Sequence, residues 1–167
     1  MATGPVADDP RPDDGALFAR LYPGLRRFAA VCGSFDTDPD DLVQEAVART
    51  LRRHALAELD DAAAYLRQAI VHLASNHRRG AARWRAAVLR LGGGDESRAP
   101  EYGSDLADLL RLDGETRALL YLVAVEGNTY AVAAAVLGIS EEAARARAAR
   151  ARKRLRFAIV EEDEWTT

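Results

Sequence analysis

Cysteine is almost missing from this chain: Cys32 stands alone among 167 residues. A single thiol excludes an internal disulfide and the paired Cys-x-x-Cys spacing of structural zinc sites, and it fits a reducing cytoplasm. Aromatic residues make up only 7%. Alanine fills much of the space they leave, which favours closely packed helices because alanine loses no side-chain entropy in a helix. Long apolar runs are absent too. The longest, Ala118 to Val125, falls well short of the roughly 20 residues needed to span a bilayer, so no membrane insertion is expected. The opening stretch "MATGPVADDPRPDD" has neither a basic start nor an apolar centre and does not read as a signal peptide.

Signatures of catalysis are missing as well. There is no G-x-S-x-G, no H-E-x-x-H and no phosphate-binding glycine loop, and Gly92 to Gly94 lack the strand and lysine such a loop requires. The three histidines, His54, His72 and His77, share no metal-ligand spacing, although His72 and Cys32 could meet in space. The expectation is a protein with no catalytic residues, no metal and no cofactor.

What the chain does have is charge sorted into blocks. Its net charge of −3 argues against a nucleic-acid partner until it is divided. Residues 1–60 carry −4, 61–91 carry +5, 92–142 carry −7, 143–156 carry +7 and 157–167 carry −4. Blocks of one sign inform about partners where the average does not. With 49% apolar and 29% charged residues the chain is globular, long enough for one compact domain or two small ones.

Helical periodicity follows a Pro- and Asp-rich tail at residues 1–14. Leu17, Leu21, Leu25 and Phe28 recur at steps of three and four, the stripe of an amphipathic helix. Asp38 followed by Pro39 reads as an N-cap with proline at the first helical position. Leu42, Val43, Ala46 and Leu51 are then expected to face inward, leaving Asp41, Gln44 and Glu45 for a partner. A third helix starts near Asp60 or Asp61 and turns basic in its second half. The glycine-rich, polar stretch 92–104 reads as a flexible linker, and four further helices are expected after it.

Residues 129–156 have the layout of a helix-turn-helix. A short apolar helix from Thr129 to Leu137 ends at Gly138, which can take the left-handed conformation of a tight turn. Ile139 plugs the core, Ser140 caps the next helix, and Glu141 and Glu142 lie at its positive end. Projection at about 100° per residue groups Ala144, Ala148, Ala151, Leu155 and Ile159 into a buried stripe. Arg145, Arg152 and Arg156 fall on one flank, Arg147, Arg150 and Arg154 on the other. No acid interrupts residues 143–156, so a polyanion is the simplest source of compensation, a solvated arginine face being the alternative. The other basic block, "NHRRGAARWRAAVLR", sets His77 and Trp84 among Arg78, Arg79 and Arg83, a mixture suited to single-stranded nucleic acid, while an aromatic closing a core is equally common.

With these pieces in place the chain resembles the extracytoplasmic-function sigma factors of the sigma-70 family across residues 16–91 and 105–157. "LFARLYPGLRRFAA" with "DPDDLVQEAVARTLRR" looks like their first conserved region, and "ETRALLYLVAVEGNTYAVAAAVLGISEEAARARAARARKRLR" looks like their promoter-reading region. The resemblance implies an all-α protein of two small helical domains, residues 15–91 and 105–160, joined by the flexible linker and followed by an acidic tail at 161–167. It implies a cytoplasmic protein whose partners are the clamp helices of core RNA polymerase, promoter DNA and an anti-sigma factor. Asp41, Leu42, Gln44 and Glu45 would touch polymerase. His72, Asn76, His77, Arg78, Arg79, Arg83 and Trp84 would engage the melted minus-ten element, and Arg145, Arg147, Arg150, Arg152, Lys153 and Arg154 the minus-thirty-five duplex. His72 stands where family members usually carry Asn and Asn76 where they carry Asp. Ala143 and Ala146 replace the usual hydroxyl donors of the reading helix, which leaves base recognition there to Arg145, Arg147 and Arg150. A sigma-like module that binds polymerase or an anti-sigma factor without reading promoters, and a stand-alone helix-turn-helix regulator, are the alternatives.

Overall fold

A computed structural model describes residues 13–34, 36–90, 109 and 111–163. Helix α1 (Asp14–Cys32) opens at Asp13, whose carboxylate accepts from the Gly15 N–H at 3.3 Å. The first helix thus begins at the very end of the expected tail, and the rest of that tail, residues 1–12, lies outside the described residues. Helix α2 (Pro39–Leu51) starts as its sequence dictates, with Asp38 accepting from the Asp40 N–H at 2.8 Å and Pro39 in the first turn. Leu42, Val43 and Ala46 are buried, but Leu51 is 46% exposed and Thr50 takes the inward place. Leu51 lies about half a turn from Leu42 at 3.6 residues per turn, whereas Thr50 falls within the stripe and gives its hydroxyl to the Ala46 carbonyl at 2.8 Å.

A short 3-10 turn at Leu56–Glu58 buries Leu56, and the Ala57 N–H donates to Asp14 at 2.9 Å, tying the turn to the start of α1. Helix α3 (Ala62–Arg90) is the longest, 29 residues, preceded by Asp61, which accepts from the Ala64 N–H at 2.9 Å. After residues 91–108 come α4 (Gly114–Leu120), running on into a π turn (Tyr121–Val125), then α5 (Tyr130–Leu137) and α6 (Glu141–Asp163). Of the helix expected ahead of α4, only Leu109 and Arg111 are described as helical; its remainder and the 92–104 linker lie outside the described residues. All regular structure among the described residues is helical, as expected.

Both sets of helices feed one buried cluster. Leu25 and Phe28 of α1, Leu42 and Val43 of α2, and Leu66 and Ile70 of α3 share it with Leu119, Leu122, Leu137 and Ala144 from beyond the linker. Each large apolar side chain so buried contributes roughly 1.5 to 3 kcal/mol, enough to hold the two sets together. The seam is finished by Arg117. Its guanidinium donates to the carbonyls of Val31 at 2.7 Å, Leu112 at 2.7 Å, Cys32 at 3.3 Å and Gly33 at 2.5 Å, answering the free carbonyls at the end of α1. Burial, with the charge of Arg78 adding to it, holds the Arg117 pKa below the usual arginine range. Burial also pushes the Cys32 thiol up, which makes it an inert core residue.

Candidate nucleic-acid interface

The helix-turn-helix forms where its residues place it. Thr129 caps α5, accepting from the Val132 N–H at 3.3 Å, and Gly138 ends the helix at φ 67° in the left-handed region. Ile139 packs on the core, and Ser140 accepts from the Ala143 N–H at 3.1 Å to start α6. Ala144, Ala148 and Ala151 are buried and Leu155 half-buried, as projection requires, while the side chain of Ile159 lies outside the described residues.

The two arginine flanks meet different surroundings. Arg145 pairs with Glu141 one turn back and lies 4.9 Å over the Tyr130 ring, and Arg152 donates to the Tyr130 hydroxyl. On the opposite flank Arg147 is only 29% exposed and pairs with Glu115 of α4 at 2.8 Å. The second carboxylate oxygen of Glu115 accepts from Ser75 of α3 at 3.3 Å, so one acid clasps α6 to the first helical set. Beside it Arg147, Arg150 and Arg154 line a recess with Asp113 and Thr116. Although burial pushes the Asp113 carboxyl up, two hydrogen bonds from Thr116, at 2.7 and 2.8 Å, hold it below the usual carboxylate range. Arg150 and Arg154 are exposed and have no hydrogen-bonded partner among the described residues; Lys153 is exposed as well.

Along α3, His72, Asn76, His77, Arg79 and Arg83 are exposed and Arg78 half-buried. Trp84 is 69% exposed and so plays no part in closing a core. Arg79 donates to the Asn76 side chain at 2.7 Å, leaving that amide oriented by its neighbour. On α2, Asp41 and Gln44 are exposed and Glu45 half-buried, whereas Leu42 lies fully buried beneath this face rather than on it. Glu45 holds Arg49 at 2.5 Å and meets His77 of α3 at 3.3 Å, which sets the expected polymerase face beside the expected strand face.

Sequence reasoning missed Glu115 and Tyr130. The acid-free run in α6 suggested an uncompensated helix, yet Glu115 reaches it from 32 positions away, beyond any local pairing rule. Tyr130 could have been found as the one aromatic of the apolar helix preceding the turn. Cys32 is buried and His72 exposed, and among the described residues no group of His, Cys, Asp and Glu could hold a metal ion. No described helix is long and apolar enough to cross a membrane.

Residues 109–155 match the family model for sigma-70, region 4. No curated protein sequence matches the chain. Among solved structures, the sigma factor RpoE from Bartonella quintana, crystallised in complex with the anti-sigma factor NepR, has the same fold: the TM-score is 0.66 at 24% identity over 88% of this chain and 96% of that one. The region 4 match spans the helix-turn-helix of α5 and α6, and the structural likeness extends the shared fold across α1–α3 as well.

Proposed function

We propose that this chain is a sigma factor of the extracytoplasmic-function type that directs core RNA polymerase to promoters and aids their melting. The observation that carries the reading is the helix-turn-helix of α5 and α6, capped by Thr129 and Ser140 and turned at Gly138, with its arginine-rich second helix, built on the same core as the α1–α3 set. In helix-turn-helix proteins the second helix enters the major groove with its N-terminal residues first, which puts Arg145 and Arg150 within reach of guanine edges. Exposed Asp41 and Gln44 with half-buried Glu45 form an acidic-polar patch for the polymerase clamp helices, and the α3 residues from His72 to Trp84 form the surface for the melted minus-ten strand. No step of chemistry falls to the chain: binding free energy opens and holds the DNA, and the polymerase catalyses. An anti-sigma factor, the partner of the Bartonella protein, is the natural regulator.

Run-off transcription with core polymerase and genomic promoter fragments tests this. Discrete transcripts that disappear with Arg150→Ala are expected; polymerase binding without initiation would contradict the reading. A second reading, an interaction module that does not read promoters, is favoured by the withdrawal of Arg147 onto Glu115, and that outcome would establish it.

A further inference from the structure

Two hollows meet where α4 begins. One, of about 290 Å³, lies at the seam between the two helical sets, among Gly33, Ser34, Arg78, Arg111 and Arg117. The other, of about 280 Å³, opens beside α6 among Thr116, Arg147, Arg150 and Arg154. They share Leu112 and Asp113 as a common wall. Each stands at the small end of the range of about 300 to 1,000 Å³ typical of ligand sites. Among the described residues that line them, six are arginines and one, Asp113, is an acid. That acid is already engaged: one oxygen accepts from the Thr116 N–H at 2.8 Å and the other from the Thr116 hydroxyl at 2.7 Å. Arg117 is turned to the carbonyls at the end of α1 and Arg147 to Glu115. Arg78, Arg150 and Arg154 have no hydrogen-bond or ion-pair partner among the described residues. Arg78 is half-buried, and its guanidinium stands 3.8 Å from the place a Cβ would take on Gly114. Burial first, and then this neighbouring charge, hold the Arg117 pKa down, so like charges crowd the seam. A solvated arginine face would spread its charges outward, whereas these converge on two adjoining hollows.

We propose that the paired hollows bind a small polyphosphate anion, one phosphate group on Arg78 and Arg111 at the seam and the next on Arg150 and Arg154 beside α6. Arginine forks match phosphate oxygens two at a time, and charge-assisted bonds of this kind are strong. A di- or triphosphate packs several negative charges into a volume of this size, whereas a duplex is too wide to enter it. The bound anion bridges α3, α4 and α6, and so pins the two helical sets together where their own charges repel. The proposal does not rest on the sigma-factor reading, since it needs only the placement of the arginines.

The test is isothermal titration calorimetry of the full chain with pyrophosphate and with tripolyphosphate, at fixed ionic strength and without divalent metal. One-to-one binding is expected, at least about tenfold tighter than that of orthophosphate, because the second phosphate group reaches a hollow beside the first. Arg111→Ala and Arg150→Ala, both at exposed positions, each weaken it about tenfold, the loss of one charge-assisted contact. Arg78→Lys keeps the charge and the stem but not the fork, and weakens it by a smaller factor. Pyrophosphate raises the melting temperature of the wild type, and sodium sulfate at equal ionic strength does not. A wild type that binds no pyrophosphate, or that responds equally to sulfate, overturns the proposal. Affinity unchanged in the Arg111 and Arg150 variants overturns it as well. Loss with Arg150→Ala alone reduces the site to an anion contact of α6 and overturns the bridge across the seam. None of these results bears on run-off transcription, so a failure here leaves the sigma-factor reading standing.

Discussion

Along α3 the side chains expected to meet DNA stand in solvent except for half-buried Arg78, with Trp84 at 69% exposure and His72 without a partner among the described residues. Along α6, by contrast, Arg145, Arg147 and Arg152 are each already held, by Glu141, Glu115 and Tyr130. The two stretches carry similar positive charge, +5 over residues 61–91 and +7 over 143–156. What separates them is how many of the arginines expected to meet DNA the fold supplies with acids and hydroxyls. The proposed strand surface therefore stands open in this conformation, whereas the proposed duplex-reading helix has one flank drawn against the rest of the protein through Glu115 and Ser75.

The comparison breaks most severely at the seam. Arg117→Ala strips four carbonyls of their donor and should cost about 3 kcal/mol or more of stability, read by urea denaturation, since each buried acceptor left unpaired costs about 1 to 3 kcal/mol. Next comes Gly114→Ala. Its Cβ would stand 2.4 Å from the Cys32 carbonyl oxygen, so α1 and α4 must part. A loss of about 2 kcal/mol is expected from such overpacking, with a larger radius of gyration by small-angle scattering. Glu115→Gln sharpens the contrast instead of breaking it: release of Arg147 raises duplex affinity by roughly fivefold, about 1 kcal/mol for a half-buried pair, and leaves single-strand affinity unchanged in parallel anisotropy titrations.

The smallest effect lies at Asp40, on α2. A 2.5 Å hydrogen bond from Tyr22, helped by Arg26, holds its carboxyl below the usual range. A lowered folded-state value means that this stabilisation is complete above the ordinary Asp value near 3.9 and fades as pH falls through the lowered one. Melting temperatures measured below about pH 4 should drop less steeply for Asp40→Asn than for the wild type.

Much of the fold was legible because its signals are local. Asp38 with Pro39, Thr129, Gly138 and Ser140 each act on neighbours within four residues, and all stand where their chemistry requires. The buried alanine stripe of α6 followed from helical geometry alone. Leu51 misled because hydrophobicity outweighed angle in reading it, and Leu42 because the resemblance attached it to a surface on which its neighbours, not it, are displayed. The site's electrostatics were the illegible part. Glu115 to Arg147, Arg67 to Glu126 at 2.9 Å and Arg117 to the end of α1 join residues 32 to 86 positions apart. Pairings over such distances arise only once a shared core has set the helices side by side.

The most direct measurement is permanganate probing of a genomic promoter bound by core polymerase with and without this chain. If α6 holds duplex while the open face of α3 holds a melted strand, thymines near the minus-ten element become reactive only when the chain is present, and they lose that reactivity with Trp84→Ala or Asn76→Ala. A polymerase complex that contains the chain and leaves every thymine protected would contradict the account.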